Sequence, residues 1–142
     1  MFAESFSPEP LIPLHRDPEE IIRLGYSGGT TGKSKAIMLS GRGFQTMLDI
    51  LLKEWEWPGE VRQLICSPLS HAGGVVFIPT LLQRGSMVVL PGFDPTAVLE
   101  AIQKHRITCM LVVPTMIYAM LDHPRLREYD LSSLEIIYYG SS

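Results

Sequence analysis

Ile-Thr-Cys-Met-Leu-Val-Val at residues 107–113, followed at once by Pro114 and Thr115, is the stretch that decides the fold. It has no charge and no polar/apolar alternation. A run of that kind is expected of a strand covered on both faces, as in a parallel sheet. Pro114-Thr115 then turns the chain into a helix to about Leu121, since proline fits a first helical turn. Upstream, Asp94 can cap a helix with Pro95 in its first turn and Ala97, Val98, Ala101 and Ile102 in its body. Ser86–Leu90 and Val61–Ser67 read as strands, and Gly73–Gln83 as a mostly apolar helix buried on most sides. Phe44, Met47, Leu48, Leu51 and Leu52 recur at helical spacing from about Arg42 to Trp55, with Pro58-Gly59 as the stop. Leu134–Tyr139 is the last strand, followed by Gly140. Strand and helix thus alternate from residue 42 onward. The fold class expected is α/β, a layered, mostly parallel sheet flanked by helices.

Before that alternation lie two short strands, Glu20–Tyr26 and Ala36–Leu39, joined by Ser27–Lys35 as a hairpin-like clamp. Residues 1–18 hold Pro8, Pro10, Pro13 and Pro18 and read as an extended leading segment, with residues 19–142 as the domain proper.

The 142 residues fit one domain and can bury a core. Hydrophobic residues are 46% and charged residues 19%, with a net charge of −3, so neither disorder nor a nucleic-acid footprint is indicated. Cys66 and Cys109 sit in apolar runs and read as buried hydrophobes in a reducing, cytoplasmic setting. Met1–Leu14 lacks the pattern of a signal peptide, and the greasiest stretch, Gly73–Leu82, is too short for a membrane span and contains Pro79.

The chemistry concentrates in Tyr26-Ser27-Gly28-Gly29-Thr30-Thr31-Gly32-Lys33-Ser34-Lys35. Glycines let the backbone approach a ligand and turn its N–H groups inward. Ser27, Thr30 and Thr31 supply hydroxyls, and Lys33 and Lys35 supply charge. This set suits a triphosphate. Composition alone also fits a soluble Gly/Thr hairpin with no ligand. A Walker loop would need glycine five residues before Gly32, where Ser27 stands, and would open a helix rather than the strand at Ala36.

The run Leu24–Lys35 resembles the signature of the AMP-binding, adenylate-forming superfamily, which includes acyl- and aryl-CoA ligases. Three later stretches resemble its further segments in the same order. Ser67-Pro68-Leu69-Ser70-His71-Ala72-Gly73-Gly74 matches a Pro-x-x-His segment. Val112-Val113-Pro114-Thr115 matches a Val-Pro-Thr turn, and Leu131–Leu134 with Tyr139-Gly140-Ser141-Ser142 matches the approach to an adenine loop. Ser34, Ala36 and Gly41 depart from the usual Pro, Gly and His.

The resemblance implies that the chain is part of the large N-terminal domain of such a ligase. The activity implied is ATP-dependent conversion of a fatty or aromatic carboxylic acid to an acyl-adenylate, then transfer to coenzyme A, with Mg²⁺ assisting. Alternatives are a fatty-acyl-AMP ligase feeding a carrier protein, or a non-catalytic nucleotide-binding module. Leu69-Ser70-His71-Ala72 stands where amino-acid-activating members carry Phe-Asp-x-Ser, which favours an organic acid. Under the resemblance Gly28, Gly29, Thr30, Thr31, Gly32, Lys33 and Lys35 hold the phosphates, Ser27 contacts Mg²⁺ or phosphate, His71 sits at the acyl pocket, and Gly140, Ser141 and Ser142 line the adenine. His71 orients and stabilises charge, because a carboxylate is already ionised at neutral pH. His15, His105 and His123 receive no role. Later segments of the family pattern fall outside these residues, so no turnover by this chain alone is expected. An exposed apolar surface and self-association, giving a homo-oligomer, are expected with it.

Overall fold

The computed structural model describes residues 16–27 and 35–140. Residues 28–34 of the Ser27–Lys35 loop expected to bind phosphate, Ser141, Ser142 and residues 1–15 of the leading segment lie outside the described residues. The chain divides into two compact units, 1–45 and 46–142.

In the first unit, β1 (Ile21–Ser27) and β2 (Lys35–Ser40) pair antiparallel. The register sets Leu24 against Met38, Tyr26 against Ala36 and Ser27 against Lys35, with an irregularity between Ile21 and Arg23. The expected clamp is therefore an antiparallel hairpin. Ahead of it, Asp17 accepts from the backbone N–H of Glu20 through its carbonyl and of Glu19 through its carboxylate, both at 2.9 Å. Arg42 pairs with Glu19, and its N–H donates to the Pro18 carbonyl at 2.7 Å. Ser40 Oγ accepts from the N–H of Gly43 at 3.2 Å and so caps the start of α1 (Gly41–Glu54). Leu24, Tyr26 and Met38 are exposed on the hairpin.

In the second unit, Leu48 and Leu51 are the buried stripe of α1. Beyond it come β3 (Arg62–Ile65), α2 (Ala72–Val75), α3 (Phe77–Leu82), β4 (Ser86–Val89), α4 (Pro95–His105), β5 (Cys109–Val112), α5 (Pro114–Leu121) and β6 (Ile136–Tyr139). The four strands form one parallel sheet in the order β4-β3-β5-β6. Leu64, Cys66, Met110 and Val112 meet Val98, Ala101 and Ile102 of α4 and Met120 of α5 in the core. Helices α4 and α5 touch each other, whereas α2 and α3 contact β5 and β4.

The strand and helix order matches the reading from sequence, with one correction. Gly73–Gln83 is two short helices broken at Val76, not one helix buried on most sides. Gly73 and Gly74 weaken helical propensity, and Pro79 has no N–H for the turn before it. Leu81 and Leu82 lie about half exposed, at 49% and 57%.

Local signals explain the rest. Asp94 Oδ1 accepts from the N–H of Ala97 at 2.8 Å, with Pro95 in the first turn. Helix α4 ends on Lys104 and His105, then on Arg106 in the left-handed region at φ 48°. Ile107 donates to Ile102 to close that helix, so β5 begins only at Cys109. Thr108 pins two strand starts together. Its Oγ1 accepts from the N–H of Arg62 at 2.8 Å and donates to the Glu60 carbonyl at 2.7 Å.

Candidate functional site

In an open parallel sheet ligands bind beyond the carboxyl ends of the strands, where two neighbouring strands send their connections in opposite directions. Strand β3 leads by α2 and α3 to β4 on one side, and β5 leads by α5 to β6 on the other. By that rule a ligand is expected between the ends of β3 and β5. The residues that follow those ends are Cys66–His71 and Val113–Thr115, two of the segments singled out from sequence.

His71 is the residue before α2, and it is exposed. Its N–H donates to the Pro68 carbonyl at 2.9 Å, and its carbonyl accepts from Gly74 at 3.1 Å. The turn is tight enough to require glycine twice. A Cβ on Gly73 would lie 2.4 Å from the Ser67 carbonyl oxygen, and one on Gly74 would lie 2.1 Å from that of Leu69. The two glycines thus let the chain fold back so that His71 stands at its crest. Val113 precedes α5, and Pro114 occupies its first turn.

Gly140 follows β6 directly, at the same edge of the sheet. With β5 between them, the ends of β3 and β6 are about 10 Å apart. A Cβ on Gly140 would meet nothing within 4 Å. The sheet therefore brings His71, Thr115 and Gly140 to one rim. In the other unit, the β1–β2 ladder closes at Ser27 and Lys35. Of the phosphate-loop residues, Gly28, Gly29, Thr30, Thr31, Gly32 and Lys33 lie outside the described residues, as do Ser141 and Ser142.

No group of three or more His, Cys, Asp or Glu among the described residues could hold a metal ion.

The cysteines are free and buried, as read from sequence. Burial pushes the Cys66 thiol up and the Cys109 thiol to about 11. Both shifts disfavour the thiolate, the form in which a cysteine attacks. Sequence reading missed an aromatic cluster beside β6. Trp55 stacks on Tyr138 at 4.4 Å between ring centroids, Trp57 tilts against it at 5.6 Å, and the Tyr138 hydroxyl donates to the Glu56 carbonyl. Burial, with Cys109 and Glu56 nearby, raises the Tyr138 phenol. The aromatic identities were the available signal. Their partnership joins the residues after α1 to β6 and leaves no local pattern.

No helix among the described residues is long and apolar enough to cross a membrane.

Comparison with known proteins places this geometry. A family model described as AMP-binding enzyme matches residues 3–142. A medium/long-chain-fatty-acid–CoA ligase, FadD8 of Mycobacterium tuberculosis, is 49% identical over 140 residues, 99% of this chain and 24% of that protein. A feruloyl-CoA synthase of an Amycolatopsis species is 37% identical over 135 residues, 94% of this chain and 27% of its own length. The ATP-bound crystal structure of MatB from Rhodopseudomonas palustris superposes with a TM-score of 0.81 at 30% identity, covering 94% of this chain and 26% of MatB. The chain thus spans about a quarter of the length of the relatives it matches.

Proposed function

Since the chain belongs to the AMP-binding enzyme family, we propose that it supplies the triphosphate-gripping hairpin and the acyl-side rim of an AMP-forming acid–thiol ligase. In that reaction a carboxylate oxygen attacks the α-phosphorus of ATP. Pyrophosphate leaves and an acyl-adenylate remains. The sulfur of coenzyme A then attacks the acyl carbonyl, and AMP leaves. Such chemistry rests on positioning and charge neutralisation.

Thr30, Thr31, Gly32 and Lys33 hold the β- and γ-phosphates, with Gly28, Gly29 and Lys35 completing the loop. Ser27 contacts Mg²⁺ or a phosphate oxygen. Magnesium, when bound, neutralises charge on the leaving pyrophosphate. His71 orients the carboxylate near the α-phosphate, and Gly140, Ser141 and Ser142 border the adenine. The acid is fatty or aromatic. The likeness to a fatty-acid–CoA ligase and to a feruloyl-CoA synthase supports that range. The setting proposed is the cytoplasm.

One observation carries this reading: the antiparallel pairing that sets Ser27 opposite Lys35, so that the Gly/Thr/Lys run between them is tethered at both ends. Titration of Mg·ATP by calorimetry tests it. Binding by the wild type that weakens about tenfold or more in both Lys33→Ala and Thr30→Ala agrees with a loss of charge-assisted contacts. Unchanged affinity in both variants refutes it.

A further inference from the structure

The amino ends of β3 and β4 lie at the edge of the sheet opposite the rim of His71, Thr115 and Gly140. There a polar cleft of about 460 Å³ opens between residues 59–61, which lead into β3, and residues 83–86, which join α3 to β4. A volume of that order accommodates a small metabolite.

Arg84 lines this cleft, and its backbone is in the left-handed region at φ 57°. Glycine or asparagine is usual where a helix ends in that way. The glycine stands one residue later instead, because a Cβ on Gly85 would lie 2.7 Å from the Val61 carbonyl oxygen. The chain thus carries a long cation in a conformation that is costly for any residue with a Cβ. Its charge is not neutralised by a neighbour either. Arg62, Arg106 and Arg125 each pair with a carboxylate. Arg84 and Arg127 have no such partner among the described residues, and of these two Arg84 lines the cleft.

The rest of the lining suits a negative ligand. The carboxylate of Glu60, the acid in the cleft, is held by Arg62. The carbonyls near the end of α3 are occupied, with Thr80 accepting from the N–H of Gly85 at 2.8 Å and Leu81 from that of Arg84 at 2.9 Å. That mutes the negative end of the helix. The Gln83 amide and the Ser86 hydroxyl add neutral donors. A guanidinium flanked by neutral donors matches phosphate oxygens.

We infer that this cleft binds a small soluble phosphate monoester, with Arg84 as its charged anchor. The inference does not rest on the function proposed above, whose phosphate contacts lie in residues 27–35.

Amide chemical-shift titrations of the whole chain with glycerol 3-phosphate and with inorganic phosphate test it, beside sedimentation with phosphatidic acid vesicles. Glycerol 3-phosphate should shift the amides of residues 59–61 and 83–86 saturably, with a Kd on the order of 1 mM. Inorganic phosphate should shift the same amides more weakly. Arg84→Gly should weaken both about tenfold or more, with a melting temperature that holds or rises, since glycine takes that backbone freely. Arg84→Asn, which also tolerates the left-handed region, reports the same loss should the glycine variant melt early. Arg127→Ala, which deletes an equal charge elsewhere, should leave the affinity unchanged. No saturable shift at those amides in the wild type overturns the inference. So does an unchanged affinity in the Arg84 variants, or an equal loss in Arg127→Ala. Binding to the vesicles with none to the soluble ester overturns it in favour of a lipid headgroup.

Discussion

The thiol of Cys109 donates to Oε1 of Gln63 across 3.2 Å, joining β5 to β3 at a point where both residues are fully buried. The amide of Gln63 is used a second time, its Nε2 donating to the Leu64 carbonyl at 3.1 Å. A polar side chain in the centre of the sheet is thereby satisfied on both sides. The thiol must keep its proton for this. An acid whose folded pKa lies above its unfolded value stabilises the fold fully below the unfolded pKa and loses that contribution as pH rises through the folded one. For Cys109 the window runs from its ordinary 9.0 to about 11, and the upward shifts of Cys66 and Tyr138 act in the same direction. The melting temperature is expected to hold up to about pH 9 and to fall between about pH 9 and 11. Thermal melts across that range check it. Thiol labelling at neutral pH should be slow in the native chain and complete in urea.

Replacing Gly74 by alanine puts a Cβ 2.1 Å from a backbone oxygen of Leu69. That atom belongs to the main chain and cannot rotate aside. Gly74→Ala should lose about 2–4 kcal/mol in urea unfolding. Gly59→Ala, where a Cβ meets nothing within 4 Å, should change stability by less than about 0.5 kcal/mol.

Thr108→Val keeps the shape of the side chain and deletes both of its bonds, leaving the N–H of Arg62 and the carbonyl of Glu60 without that partner. A loss of about 2 kcal/mol is expected by denaturant unfolding.

Asp94→Ala removes the side-chain acceptor for the N–H of Ala97. The expected loss is about 1 kcal/mol, and Asp94→Ser should recover most of it. Amide exchange in the first turn of α4 should quicken in the alanine variant alone.

Much of this was legible in the residues because the signals are local. The charge-free run at 107–113 announced a parallel strand, Asp94-Pro95 a helix start, and Gly140 the end of β6. The hairpin followed from two strand-like runs flanking a glycine-rich stretch. The break at Val76 was harder to see, because the run from Gly73 to Gln83 is apolar almost throughout. Strand ends also ran long. Ile107 looks like the strand it precedes, yet its N–H completes α4. In the candidate site, His71 was visible through its neighbours, whereas the tight backbone contacts that fix its turn depend on Ser67 and Leu69 meeting glycines several residues later. The aromatic cluster of Trp55, Trp57 and Tyr138 joins residues more than eighty positions apart. No window along the chain contains it.

Among the described residues β6 lies at one margin of the sheet, and its Ile136-Ile137-Tyr138-Tyr139 carries no charged side chain and no proline. Charge and proline are two devices that keep stray extended backbone from adding to a strand. Tyr139, 72% exposed, is therefore the position where a single Tyr139→Lys substitution should most reduce dye-staining by-products in concentrated stocks.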